Sequence, residues 1–272
     1  MKDPAPVAAE SGPSSERRAK LCSLLYPAHE VERRTRQIYE SMLGQSPQIR
    51  TGNFRLIATD DLQRLFGWYD SAFFRGSLGE MLQEDGAYPM SFGLSRRMLK
   101  VAGKTIQRVR RIGRGKSAVD RFQYEIAISA TLLYSSFHNV ERTVTVGGRV
   151  CSDRLEALQR IFEHELLHLA EFLGWGDSNC RADNFAALSR RIFAHEAAYH
   201  DLITPREQAG VAFDIHVGDI VRFEIEGQSH VGRVNRITRR ATVLVENANG
   251  PLYSDGRRYL RFYVPLALLE KA

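Results

Sequence analysis

The chain has 272 residues, 43% hydrophobic and 26% charged, which suits one sizeable core and a small second domain. No apolar run approaches the length of a bilayer span and the N-terminus opens no export signal, so a cytoplasmic location and no membrane partner are expected. Cys22, Cys151 and Cys180 are too few and scattered for a disulfide framework, and the net charge of +6 favours an anionic partner.

Residues 1–19 are rich in Pro, Ser, Ala and charge and carry no hydrophobic stripe, the pattern of a disordered tail. A helical pattern from Lys20 to Met42, broken at Pro27, and a linker from Gly44 to Asn53 make 20–53 a helical extension. An amphipathic helix is expected from Thr59 to Phe74, with Leu62, Leu65, Phe66, Tyr69 and Phe73 on one face and Gly76 and Gly79 ending it. Strands follow at Met90–Ser95, Met98–Val101 and Ile106–Val109, with a turn at Ala102-Gly103-Lys104. Tyr124, Ile126 and Ile128 alternate with polar or small residues as a half-buried strand does.

Nine basic residues and no acidic one lie between Arg96 and Lys116, while the rest of the chain is net acidic. Within this run Arg108, Arg110, Arg111, Arg114 and Lys116 are candidate contacts to a phosphate backbone, such as that of DNA. The competing reading is a solvated hairpin tip around Gly113-Arg114-Gly115.

A short helix at Ala130–Phe137 and a Gly147-Gly148 turn lead to Ile161-Phe162-Glu163-His164-Glu165-Leu166-Leu167-His168. On a helix, the H-E-x-x-H spacing puts both imidazoles on one face, where they can grip one zinc ion with Glu165 beside the water it activates. Zinc brings the pKa of such a water to about 7, so the carboxylate can take its proton as it attacks a polarised carbonyl. Asp153 with Glu156 forms a capping box, and Gly174 and Gly176 supply the stop. Leu155, Leu158, Phe162, Leu166, Leu169 and Leu173 form an apolar stripe, and Ile161 and Leu167 on the other side predict burial all round.

A catalytic zinc takes three protein ligands and keeps one position open. Glu171 lies two turns beyond His164, about 10 Å along the axis, and suits support of the ligands rather than ligation. Cys180 follows past the helix end, where the chain can fold back over the metal, and its thiolate is the leading third ligand. His195, on an expected helix from Asn184 to His200, is the rival; Asp177 and His200 stand behind it.

Residues 201–213, through Thr204-Pro205, read as a linker. From 214 to 272 the period changes: Val221, Phe223 and Ile225, then Val243 and Val245, then Phe262 and Val264, alternate between turns at Glu226-Gly227, Asn249-Gly250 and Asp255-Gly256. A small SH3-like β-barrel is expected. Arg236, Arg239, Arg240, Arg257, Arg258 and Arg261 among Tyr253, Tyr259 and Tyr263 suit a nucleic-acid reader, although nine basic against seven acidic residues fit a docking or structural barrel equally.

From Asp60 to about His195 the sequence resembles the SprT-like zinc metalloproteases. The resemblance rests on Leu62-Gln63-Arg64-Leu65-Phe66-Gly67-Trp68-Tyr69-Asp70, Phe73-Phe74-Arg75-Gly76-Ser77-Leu78, Ser95-Arg96-Arg97-Met98, Ala102-Gly103-Lys104-Thr105 and Ile126-Ala127-Ile128-Ser129, in order before the metal helix. It implies an α+β zincin-like metalloprotease domain over 54–200, with His164 and His168 as zinc ligands and Glu165 as catalytic base. The family usually takes its third ligand from a histidine shortly before an aromatic residue, whereas here Cys180 stands five residues before Phe185. The expected activity is a zinc-dependent endopeptidase on a protein or peptide substrate, paired as an extended chain to the strand near Ile126. The alternative is a non-catalytic, zinc-stabilised module that binds DNA or a partner.

Overall fold

The computed structural model describes residues 13–85, 90–113, 118–137, 142–238 and 240–272. It is a mixed α+β structure that divides into two units, one from 1–95, 101–128 and 145–201, the other from 96–100, 129–144 and 202–272.

In the first unit, α1 (Pro13–Ser23) and α2 (Ala28–Gln45) are separated at Pro27, whose missing amide and fixed φ suit the position before a first turn. Helix α1 begins inside the expected tail; residues 1–12 lie outside the described residues. Helix α3 (Thr59–Tyr69) buries Leu62, Leu65 and Tyr69, then widens into a π-helical turn, Asp70–Phe74. That turn carries the chain into α4 (Ser77–Glu84), where the Asp70 carboxylate accepts the free amides of Leu78 and Gly79 at 3.0 and 2.9 Å.

Strands β1 (Ser91–Ser95), β2 (Gly103–Ile112) and β3 (Val119–Ser129) form an antiparallel β2–β3 hairpin within a sheet of order β1-β3-β2. Two expectations fail here. Met98–Val101 is not a strand, and Gly103, expected in a turn, starts β2. The carbonyls of Arg96 and Met98 accept side-chain hydroxyls of Thr131 and Ser129, at 2.9 and 2.7 Å, instead of ladder amides. Residues 114–117, including the expected hairpin tip, lie outside the described residues.

The short strands β4 (Val144–Val146) and β5 (Arg149–Cys151) turn at Gly147-Gly148, both with positive φ. They deliver the chain to the long helix that follows α5 (Ala130–Ser135) in order, α6 (Arg154–Trp175). Asp153 accepts the Glu156 amide at 2.9 Å, Glu156 accepts that of Ser152 at 2.7 Å, and Gly176 in the left-handed region ends the helix. Gly174 lies inside α6, where a side chain would collide with Leu21. Sixteen of the 22 residues of α6 are buried, so it is the central helix of this unit.

Helix α7 (Asp183–Phe193) ends earlier than its apolar spacing predicts, at Ala194 in the left-handed region. The following residues leave the helix to run beside β4: Gly147 donates to Tyr199 and Asp201 to Thr145, both at 3.0 Å. His195 therefore stands past the end of a helix, not on one.

In the second unit, part of the expected linker 201–213 is helix α8 (Pro205–Phe213), capped by Thr204 and contributing Ala209 to the core. Strands β6 (Ile220–Ile225), β7 (Gln228–Ile237), β8 (Ala241–Glu246), β9 (Tyr259–Val264) and β10 (Glu270–Lys271) form one antiparallel sheet of order β10-β6-β7-β8-β9. Val221, Phe223, Val243 and Val264 face its core, as the alternation predicts, with Val234 and Ala241 beside them and Ile225, Val245 and Phe262 partly buried against it. Glu226-Gly227, both at positive φ, make the two-residue turn between β6 and β7. β9 and β10 end the sheet without pairing with each other, so it is an open antiparallel sheet rather than a closed barrel.

Candidate metal centre

The four-residue spacing on α6 brings the Nε2 atoms of His164 and His168 to 3.2 Å from each other. Two nitrogens bound at 2.0–2.1 Å to a tetrahedral zinc stand about 3.3 Å apart, so the pair already has the span one ion requires. Cys180, on the loop between α6 and α7, brings its sulfur into the same cluster: the three candidate donor atoms lie within 4.8 Å of one another. Phe185 of α7 walls the two imidazoles with ring centroids at 4.9 and 4.7 Å.

The hydrogen bonds behind His168 select its tautomer. Glu171 accepts from the Asn179 amide at 3.1 Å, from Asn184 at 3.0 Å and from the Ser178 hydroxyl at 2.6 Å. Having given its single proton to Glu171, Ser178 Oγ accepts from His168 Nδ1 at 2.6 Å. The Nε2 lone pair of His168 is thereby turned toward His164 and Cys180, the arrangement a metal-binding imidazole needs. Burial also keeps both rings neutral: it pushes His164 down to about 3, with His168 adding to the effect, and His168 down to about 4. A ligand must be unprotonated, so the donor set fits a borderline-soft divalent ion such as zinc.

Glu165 is 3% exposed and borders the same pocket, about 330 Å³ in volume, as His164, His168, Cys180, Lys104 and His200. Burial pushes its carboxyl up to about 7, while the Thr105 hydroxyl, 2.8 Å from both Oε2 and the backbone carbonyl of Glu165 and sharing its one proton between them, works against that rise. The first residues of β2 press against this carboxylate. A Cβ on Gly103 would lie 2.5 Å from Glu165 Oε1, so glycine is what allows the strand to come this close. Neither Ser178 nor Thr105 had a readable role in the sequence, because a lone hydroxyl residue carries no spacing signature; Thr105 stood out only through the family resemblance, and Gly103 and Lys104 otherwise only as part of an expected turn.

Of the other candidate ligands, His195 is directed elsewhere. Its Nε2 lies 2.7 Å from the buried Glu163 Oε2, and Glu163 also receives Tyr69 at 2.8 Å and Arg160 at 3.0 Å. This ion-paired network occupies the side of α6 away from the pocket and holds the helix turn that ends in His164. His195 Nδ1 is buried without a hydrogen-bond partner among the described residues, under Gly147, where any side chain would collide with it. Asp177 is exposed and outside the cluster, and His200 lines the pocket without joining it.

The basic run is divided. Arg96, Arg97 and Lys100 belong to the second unit, while Lys104, Arg108, Arg110 and Arg111 belong to β2 in the first. On β2, Arg108 and Arg110 share a face and Arg111 is on the other; Arg108 pairs with Glu125 at 2.8 Å, and Arg110 and Arg111 lie opposite Arg121 and Asp120. Arg114 and Lys116 lie outside the described residues. Among the described residues of β2, the arginines of the run are therefore split between the two faces of the strand. No helix among the described residues is long and apolar enough to cross a membrane.

Comparison with protein-family models, curated proteins and solved structures finds no match for this chain.

Proposed function

We propose that this protein is a zinc-dependent endopeptidase of SprT-like type, with a zincin-like catalytic domain and a C-terminal sheet of SH3-like type. The observation that carries the reading is the convergence of His164, His168 and Cys180 with the buried carboxylate of Glu165 on one pocket. His164 Nε2, His168 Nε2 and Cys180 Sγ would hold the metal. Zinc bound there supplies Lewis acidity, polarising a peptide carbonyl and lowering the pKa of water.

The remaining roles belong to the chain. Glu165, pushed up to about 7, is placed to take a proton from the attacking water and return it to the departing amine near neutral pH. Thr105 fixes the orientation of the carboxylate through Oε2, and Phe185 with the buried face of α6 limits water around the imidazoles. The substrate strand is reassigned from the one near Ile126. Among the described residues β3 is central and paired on both sides, whereas β2 has one unpaired edge and its first residues border the pocket. An extended protein or peptide substrate would add along β2, recognised through its backbone. A thiolate ligand gives zinc more negative charge than imidazole does, which predicts a weakly acidic centre and low or conditional turnover.

The three cysteines are free, consistent with a reducing cytoplasmic setting, and the β2 arginines offer a way to keep the enzyme on DNA-associated proteins. The test compares wild type with Glu165→Gln for zinc content and for cleavage of an unfolded protein, with and without single-stranded DNA. Equal zinc with cleavage lost supports the enzyme. Equal zinc with no cleavage by wild type in any condition leaves the zinc-stabilised binding module instead.

A further inference from the structure

We propose that the outer face of the C-terminal sheet is a binding channel for a single-stranded nucleic acid, floored by β8 and walled by arginines of β7 and β9. Along β8 the inward side chains are Ala241, Val243 and Val245, which leaves Thr242 and Leu244 on the opposite face, where Leu244, 8% exposed, lies deep between its neighbours and Thr242 is half-buried. The register then sets their neighbours. Leu244 lies between Arg233 on β7 and Arg261 on β9, and Thr242 lies between Arg236 and Tyr263. Val231 and Ile220, each 47% exposed, extend the apolar part of the face toward β6, where Arg222 stands opposite Val231.

Each wall is one strand from the floor, so the channel is about 10 Å across, two inter-strand spacings. That width admits one extended backbone. Arg222, Arg233, Arg236 and Arg261 make no side-chain hydrogen bond or ion pair among the described residues; Arg233 acts on Asp255 only through space. The nearby acidic residues are displaced or engaged: Glu246 pairs with Arg257 at 3.1 Å, Asp255 accepts the Arg257 amide and the Tyr259 hydroxyl at 3.1 and 2.8 Å, and Glu270 is opposite Arg222 at the far margin, with Glu224 on the same strand as Arg222. Guanidinium groups held in no ion pair among the described residues, on both sides of a neutral floor, fit a chain of phosphates. Tyr263 is 59% exposed beside them and offers a ring on which an unpaired base can stack, which favours a single strand over a duplex. A β-bulge between Val234 and Arg236 turns Arg236 onto this face, beside Arg233.

The inference is independent of the metal reading, because its test measures binding and not cleavage. The full chain is titrated into a fluorescein-labelled 20-residue oligo-dT, read by anisotropy between 50 and 200 mM salt. Arg233→Gln/Arg261→Gln is expected to weaken binding at least tenfold at low salt and to make the salt slope shallower by about 1.4, roughly 0.7 for each phosphate no longer neutralised. Arg233→Lys/Arg261→Lys is expected to keep the slope. Tyr263→Ala is expected to weaken binding about fivefold or more with the slope unchanged, as loss of stacking without loss of charge requires. Thermal midpoints of the variants verify that the sheet is intact, and Tyr263→Ala preserves the test if the Gln pair does not fold.

Four results overturn the proposal: no binding by wild type; unchanged binding by the folded Gln pair or by folded Tyr263→Ala; binding abolished only by Arg108→Gln/Arg110→Gln/Arg111→Gln; or tighter binding to duplex DNA or phosphatidylserine vesicles than to oligo-dT.

Discussion

Gly103→Ala tests the closest approach in the candidate site. The added methyl would stand 2.5 Å from Oε1, 2.6 Å from Cγ and 2.8 Å from Cδ of Glu165, all well inside ordinary van der Waals separation. The carboxylate is buried and cannot simply swing into solvent, so it must shift and release the 2.8 Å hydrogen bond from Thr105. Overpacking costs about 1–3 kcal/mol and a hydrogen bond to a charged group about 1.5–3 kcal/mol, which together with partial relaxation gives about 2–5 kcal/mol. At roughly 2–4 °C per kcal/mol, the thermal midpoint should fall by about 4–20 °C. Displacing a catalytic base by about 1 Å costs on the order of 100-fold in rate. Zinc uptake should be unchanged, because the three atoms the methyl would meet first all belong to Glu165. The coupling is measured by a double-mutant cycle with Glu165→Ala, which removes the obstructing carboxylate. The reasoning predicts that Gly103→Ala costs little in that background; strictly additive losses, or an unaltered midpoint in the single variant, would refute it.

Glu163→Ala leaves Arg160 and His195 buried without their shared acceptor, and removing one partner of a buried ion pair should cost about 3–5 kcal/mol in chemical denaturation. A loss below about 1 kcal/mol would show that this network does not hold α6. Ser178→Ala removes the acceptor that fixes the His168 tautomer, so zinc affinity measured by chelator competition should fall about 10- to 100-fold with the fold retained. The metal-free protein should also show a two-stage acid response in denaturant titrations. From about pH 6.5 downward the unfolded histidines at 164 and 168 take up protons that the folded rings refuse, so stability falls with pH. Glu165 acts oppositely between about 7 and 4.5, since its folded carboxyl takes a proton before the unfolded one does and stabilises the fold as pH drops. The net loss should be shallow down to about 4.5 and steeper below, and Glu165→Gln should steepen the upper stage; a stability that is flat from pH 6.5 to 4 would contradict these environments.

The parts of this molecule written in short-range patterns were legible from the sequence. Asp153 with Glu156 and the left-handed Gly176 bound α6, and alternation along β6, β8 and β9 identified the inward residues of the C-terminal sheet. What the sequence did not reveal depends on contacts between distant segments. The apolar spacing through His195 and Tyr199 is helical, yet Ala194 turns out of the helix because 196–201 find backbone partners at Thr145 and Gly147. Gly103 has the look of a turn residue, but its glycine serves the approach of β2 to Glu165, sixty-two positions away. Likewise the basic run is continuous in sequence and divided between two units in space, while the arginines of the C-terminal sheet are scattered in sequence and aligned by strand register.

The central claim, that one metal ion is held by His164, His168 and Cys180, is tested most directly by elemental analysis joined to X-ray absorption at the zinc edge. The account predicts one zinc per chain, with nitrogen scatterers at about 2.0–2.1 Å and a single sulfur at about 2.3 Å that disappears in Cys180→Ser. A chain that takes up no zinc, or whose zinc shows no sulfur neighbour in the wild type, would contradict it.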